Sequence, residues 1–153
     1  MDIVIKKSDE AEKAYGIAQK LPDYFNEKGL KSIKEDVKTQ FLYGAYKNGE
    51  MVGFITYKEL NPEAIEITWT AVLPDTQGEG VGSKLVLESL QQLGDNYKVC
   101  EVKTLSDTHP DTGYKRTREF YKRLGFIPLE TIYSYPGWDE KNPCQIFVKF
   151  LNW

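Results

Sequence analysis

The sequence predicts an α/β fold in which helices pack against one mixed β-sheet. Three observations carry that prediction. Strand-like and helix-like segments follow one another in the order β-α-α-β-β-β-α-β-α-β-β. An Asn48-Gly49 pair joins two strand-like runs, and a glycine-rich turn leads from a strand straight into an amphipathic helix. The 153 residues suit a single domain, 1–153, with one hydrophobic core and no repeat, linker or low-complexity tract.

Ile3 and Ile5 lie in a short alternating segment that reads as the first strand. Ser8 is placed to cap a helix with Asp9 and Glu10 in its first turn, where acids suit the positive end of the helix dipole. Ala11, Ala14, Ile17, Ala18 and Leu21 keep helical spacing until Pro22 stops them. After the loop 23–26, Leu30, Ile33 and Val37 mark a second amphipathic helix. Strands over 41–47 and 51–60 flank the type I′ turn at Asn48-Gly49. A further strand over 65–73 puts Ile65, Ile67, Trp69 and Ala71 on one face and Glu66, Thr68 and Thr70 on the other. The helix after the glycine turn buries Leu85, Val86, Leu90 and Leu93, and Gly94-Asp95-Asn96 ends it. Residues 98–105 form a strand, and a polar loop over 106–113 precedes a helix with Phe120, Tyr121 and Leu124. Gly125 suits its C-terminal cap. Two last strands, 127–135 and 145–151, flank Pro136-Gly137-Trp138 and are able to pair across a homodimer.

Composition narrows the function. Net charge is only −3 and basic residues form no stripe, so the footprint of a nucleic-acid partner is missing. No apolar run approaches the ~20 residues that span a bilayer, and the first residues hold no signal-peptide core, which makes a cytoplasmic location the expectation. Cys100 and Cys144 show no metal-ligand spacing and read as free buried thiols; with one histidine, no metal site is expected.

The stretch Gln77-Gly78-Glu79-Gly80-Val81-Gly82-Ser83 carries the most information. Glycines permit tight turns and close approach of a ligand to the main chain, and the first N–H groups of the following helix lack internal partners. Such a turn accepts phosphate oxygens without a lysine. Gly82-Ser83-Lys84 has the wrong order for a Walker A loop, and the glycine spacing differs from a dinucleotide fingerprint.

Gln77-Gly78-Glu79-Gly80-Val81-Gly82 resembles the Gln/Arg-x-x-Gly-x-Gly/Ala signature of the GNAT N-acetyltransferase superfamily. Phe120-Tyr121-Lys122-Arg123-Leu124-Gly125-Phe126 is similar to the Phe-Tyr-x-x-x-Gly-Phe segment of that family's later helix. The resemblance implies a mostly antiparallel central sheet, splayed at the acetyl-CoA site and flanked by about four helices. It implies acetyl-CoA as acyl donor, its pyrophosphate on residues 77–83 and its pantetheine arm along the main chain of Thr70, Ala71, Val72 and Leu73. The implied reaction is direct transfer of acetyl to an amine. The chain departs from the family where Asn and Ala commonly stand seven and four residues before the tyrosine; it has Tyr114 and Thr117 there.

Glu66 is the candidate general base, eleven residues before Gln77 on the strand that resembles the family's histone-acetylating branch. Desolvation on a half-covered strand would raise its basicity; the plain alternative is a solvated strand glutamate. Glu101 and Asp107 are weaker rivals. Tyr121 is the candidate acid for the departing thiolate; otherwise it packs with Phe120 in the core. His109 beside Pro110 reads as an exposed loop residue unless it relays a proton. By analogy with the fold, Tyr24, Phe25, Tyr133, Tyr135 and Trp138, with Asp23 and Asp139, would wall the acceptor site, and aromatic faces suit a cationic amine. Small amines, antibiotics, peptide N-termini and protein lysines stay open. So does a non-catalytic module of the same fold that senses acyl-CoA.

Overall fold

A computed structural model describes residues 2–105, 112–138 and 142–151. Its elements follow the predicted order: β1 (Ile3–Lys7), α1 (Ala11–Gln19), α2 (Glu27–Thr39), β2 (Phe41–Lys47), β3 (Glu50–Asn61), β4 (Ala64–Val72), α3 (Val81–Leu93), β5 (Val99–Leu105), α4 (Thr112–Arg123), β6 (Ile127–Ile132) and β7 (Cys144–Phe150). The seven strands form one sheet in the order β1-β2-β3-β4-β5-β7-β6. The pairs β1/β2, β2/β3, β5/β7 and β6/β7 are antiparallel. The last strand in sequence therefore enters between β5 and β6, a placement no local pattern encodes.

By contacts the chain falls into two compact units, Met1–Glu59 with Ile67–Leu93, and Leu60–Glu66 with Gly94–Trp153. In the first, β2 and β3 are buried along most of their length because helices cover both faces. Leu42, Tyr46 and Phe54 pack with Ala14, Ile17, Ala18 and Leu21, then Ile33 and Val37 of α2. On the opposite face Tyr43 meets Tyr57 edge-on at 6.2 Å, and the Tyr57 hydroxyl pairs with Ser89 of α3 at 2.6 Å. Gln92 Nε2 donates to the Ile5 carbonyl at 3.1 Å and Lys84 Nζ donates to that of Ile3, fastening α3 to β1. The Asn48-Gly49 turn has φ of 53° and 78°, the two positive values a type I′ turn requires.

The start of α1 differs from the sequence prediction. Ser8 does not cap the helix: its Oγ accepts the Glu10 N–H at 3.0 Å, a local turn that delays helix entry until Ala11. Glu10 consequently stands at the cap position, not in the first turn, and accepts a bond from the Tyr46 hydroxyl at 2.7 Å while pairing with Lys13. Asn26, read as loop, is the side chain that caps α2, accepting Gly29 N–H at 2.8 Å.

In the second unit β7 pairs with β5 from Val99↔Phe150 to Leu105↔Cys144 and with β6 on its other edge. Both cysteines are buried thiols outside any disulfide, as expected. Burial raises the Cys144 thiol to about 11. Among the described residues no helix is long and apolar enough to cross a membrane.

Candidate active site

The turn between β4 and α3 is built from glycine conformations. Pro74–Thr76 make one 3-10 turn, with both the amide and the hydroxyl of Thr76 on the Leu73 carbonyl at 3.0 Å. Gly78 and Gly80 then take φ of 86° and 76°, values that cost other residues roughly 1–2 kcal/mol. A Cβ built on either meets nothing within 4 Å, so the space over the turn is open. Part of the turn's hydrogen bonding is internal: the Gln77 amide donates to Pro74, the Glu79 amide to Thr76, and Gln77 Nε2 to the Val72 carbonyl at 3.0 Å. The ladder of α3 opens with Lys84 N–H on Gly80 O at 3.1 Å, so the amides of Val81, Gly82 and Ser83 precede it.

Charge at this turn favours an anion. The first turn of α3 carries no acid, and Glu79 is drawn to Lys47 of β2 at 3.1 Å. The donors and the room fit a pyrophosphate. Just upstream, the Leu73 amide is spent on Val52 O of β3 at 2.8 Å. Alternation along a strand then turns the Val72 amide to the opposite edge, away from β3.

Glu66, in the other unit, is not the solvated strand glutamate of the plain reading. It is 8% exposed, and its Oε2 lies 3.0 Å from Lys103 Nζ. Lys103 also sits 3.3 Å from Glu101 and 5.1 Å from the centroid of the Tyr135 ring. Burial by itself would lower Lys103, but hydrogen bonds to Tyr135 and Glu66 and the charges of Glu66 and Glu101 outweigh it and hold the ammonium above its usual value. Sequence reading missed Lys103; the spacing of Glu101 and Lys103 on one face of β5 was its only signal.

Tyr121 is placed by the end of α4. Phe126 N–H bonds Tyr121 O at 3.0 Å and Gly125 N–H bonds Lys122 O at 3.0 Å, with Gly125 at φ 93°. That is a Schellman cap, which brings the residue after the glycine against the residue three before the cap. The Tyr121 ring accordingly meets Phe126 at 5.4 Å and Phe120 at 5.1 Å, both edge-on. The Phe-Tyr-x-x-x-Gly-Phe pattern is the sequence trace of this lock.

The aromatic residues expected at the acceptor divide by surroundings. Phe25 stands edge-on to Trp69 at 5.8 Å, and Trp69 Nε1 donates to Asp36 at 2.8 Å, whereas Tyr24 is 68% exposed. Trp138 packs on Tyr135 at 6.0 Å, and Tyr133 is exposed. Asp107, His109 and Asp139 lie outside the described residues, as does the side chain of Tyr114. Among the described residues no cluster of His, Cys, Asp or Glu could hold a metal.

Residues 38–128 match the family described as Acetyltransferase (GNAT) domain. The chain belongs to the GNAT acetyltransferase family. Among solved structures, a GNAT-family protein from Desulfovibrio desulfuricans is similar at TM-score 0.85 and 16% identity, over 99% of this chain and 100% of that one. The ribosomal-protein-S18-alanine N-acetyltransferase of Escherichia coli follows at TM-score 0.76 and 17% identity, over 99% and 96%. An aminoglycoside 6'-N-acetyltransferase complexed with coenzyme A is similar at 0.74 and 17% identity, over 96% of each chain. At such identities the likeness is one of fold. No curated protein sequence matches the chain. As a GNAT acetyltransferase the chain belongs to the acyl-transferring enzymes, and the turn at 77–83 falls inside the matched segment.

Proposed function

We propose that the protein is an N-acetyltransferase that binds acetyl-CoA and passes its acetyl group directly to an amine. The observation that carries this reading is the open turn at Gly78 and Gly80 leading into the acid-free first turn of α3. There the amides of Gly78 and of residues 80–83 would take the pyrophosphate, with Gln77 bracing the turn through Val72 O and the Glu79 amide already held by Thr76 O. The Val72 N–H is the donor suited to polarise the thioester carbonyl; Leu73, whose amide is already used, would serve the pantetheine arm by shape, beside Thr70 and Ala71.

Glu66 would take the proton that the acceptor ammonium must lose, directly or through a water. The amine nitrogen then bonds the carbonyl carbon, the C–S bond breaks, and Tyr121 delivers a proton to the departing sulfur, regaining one from the second proton that the acylated nitrogen sheds. Tyr24, Phe25 and Trp138 are proposed to meet the acceptor, aromatic faces attracting a cation. The solved relatives named above act on an alanine of a ribosomal protein and on aminoglycosides, so the acceptor here is tested rather than inherited.

The test is release of free coenzyme A thiol against a panel holding an aminoglycoside, a polyamine, a peptide with N-terminal alanine and a lysine peptide. One class should give saturable turnover. Glu66→Gln should lower kcat/KM by about 100-fold with acetyl-CoA affinity unchanged by calorimetry. Acetyl-CoA binding without turnover on any amine would leave a sensing module, and absence of binding would remove the coenzyme reading altogether.

A further inference from the structure

We propose that Lys103 is a positioning residue for the reaction, tying Glu66 to Glu101 and so fixing where the Glu66 carboxylate stands. The inference rests on Glu66 being the base proposed above, yet the contact itself is independent of that role. One ammonium lies 3.0 Å from Glu66 Oε2 and 3.3 Å from Glu101 Oε1, with the Tyr135 ring over it. Both carboxylates and the amine are largely withdrawn from water, where a charge acts at greater strength than on an open surface.

Among the described residues, several strands bring groups to this amine. Glu66 comes from β4, Glu101 from β5, Tyr135 from the segment after β6, and the Cys144 thiol from β7 feels all three charges. The raised affinity of Lys103 for its proton keeps it cationic throughout the working range of an amine acetylation. Two carboxylates against one ammonium leave the cluster one negative charge in excess. That excess has the sign that draws in an acceptor ammonium.

A salt bridge that served stability alone would change the melting temperature and leave turnover by the folded protein intact. A positioning role predicts instead a loss of kcat at unchanged acetyl-CoA affinity, recovered when a cation is restored at the same place.

The experiment measures kcat and KM of Lys103→Met, Lys103→Arg and Glu101→Gln in the full-length protein with whichever panel amine turns over, beside acetyl-CoA affinity by calorimetry and the melting temperature. Lys103→Met should lower kcat by about 10-fold or more with acetyl-CoA affinity unchanged, and Lys103→Arg should recover most of that loss. Should Lys103→Met fail to fold, Glu101→Gln decides, by a change in kcat at an unchanged melting temperature. Unchanged kcat in the charge variants while Glu66→Gln is inactive overturns the inference alone. Full activity in Glu66→Gln overturns the proposed base and this inference with it.

Discussion

Gly80, Tyr121 and Glu66 differ in how much of their setting their own sequence neighbourhood carries. Gly80 is legible in one residue, because a φ of 76° before a helix start is a glycine conformation. Gly80→Ala should cost about 1–2 kcal/mol in urea unfolding, since the added methyl meets nothing and only backbone strain is paid. If the turn holds the coenzyme, the same variant should weaken acetyl-CoA binding more than tenfold by calorimetry; equal affinity would detach the turn from the ligand. Tyr121 is legible through Gly125 and Phe126, which lie within five residues of it. Tyr121→Phe keeps both ring contacts, so the melting temperature should hold while kcat falls by about 100-fold or more at near-constant KM. An unchanged kcat would return Tyr121 to packing alone. For Glu66 the spacing to the glycine turn is readable, but its burial and its lysine are not. The partner stands 37 residues away on another strand, and no period links the two.

At the scale of elements, the hydrophobic spacing of α2 and the Asn48-Gly49 turn predicted what formed, because each is a local preference that the neighbours reinforce. The entry to α1 shows the opposite outcome. Ser8 offered a cap by type, but its hydroxyl is engaged by Tyr46, 38 residues away, at 2.8 Å and by the Glu10 amide. A tertiary partner thus outbid a local cap, and the helix began later. Asn26 caps α2 with no such rival, so Asn26→Ala should lower stability by about 1 kcal/mol in urea unfolding. Ser8→Ala, by contrast, should shorten no helix by circular dichroism, since the helix starts without it. A loss of helical signal there would show that the Ser8 turn does nucleate α1.

Across the molecule, the groups whose protons are held most tightly share one sign. Burial raises Cys144 from 9.0 to about 11, and raises Tyr43 and Tyr46 above their ordinary value. A folded state that holds a proton longer than the unfolded chain is stable below the unfolded value and loses that advantage as pH rises through the folded one. Unfolding free energy should therefore decline between pH 9 and about 11 by something on the order of 2 kcal/mol from Cys144, and the Cys144→Ala protein should lack that step in urea titrations. A slope unchanged by the substitution would mean that the thiol is not the group titrating. The sequence by itself determined the elements, their order, the glycine turn and the lock around Tyr121, because each rests on contacts within a few residues or on a single backbone preference. Tertiary structure alone decided that β7 enters between β5 and β6, that Ser8 gives up its cap, and that Glu66 shares Lys103 with Glu101. Those depend on which distant strands become neighbours, and strand neighbours are chosen by burial of whole faces rather than by any residue's own preference.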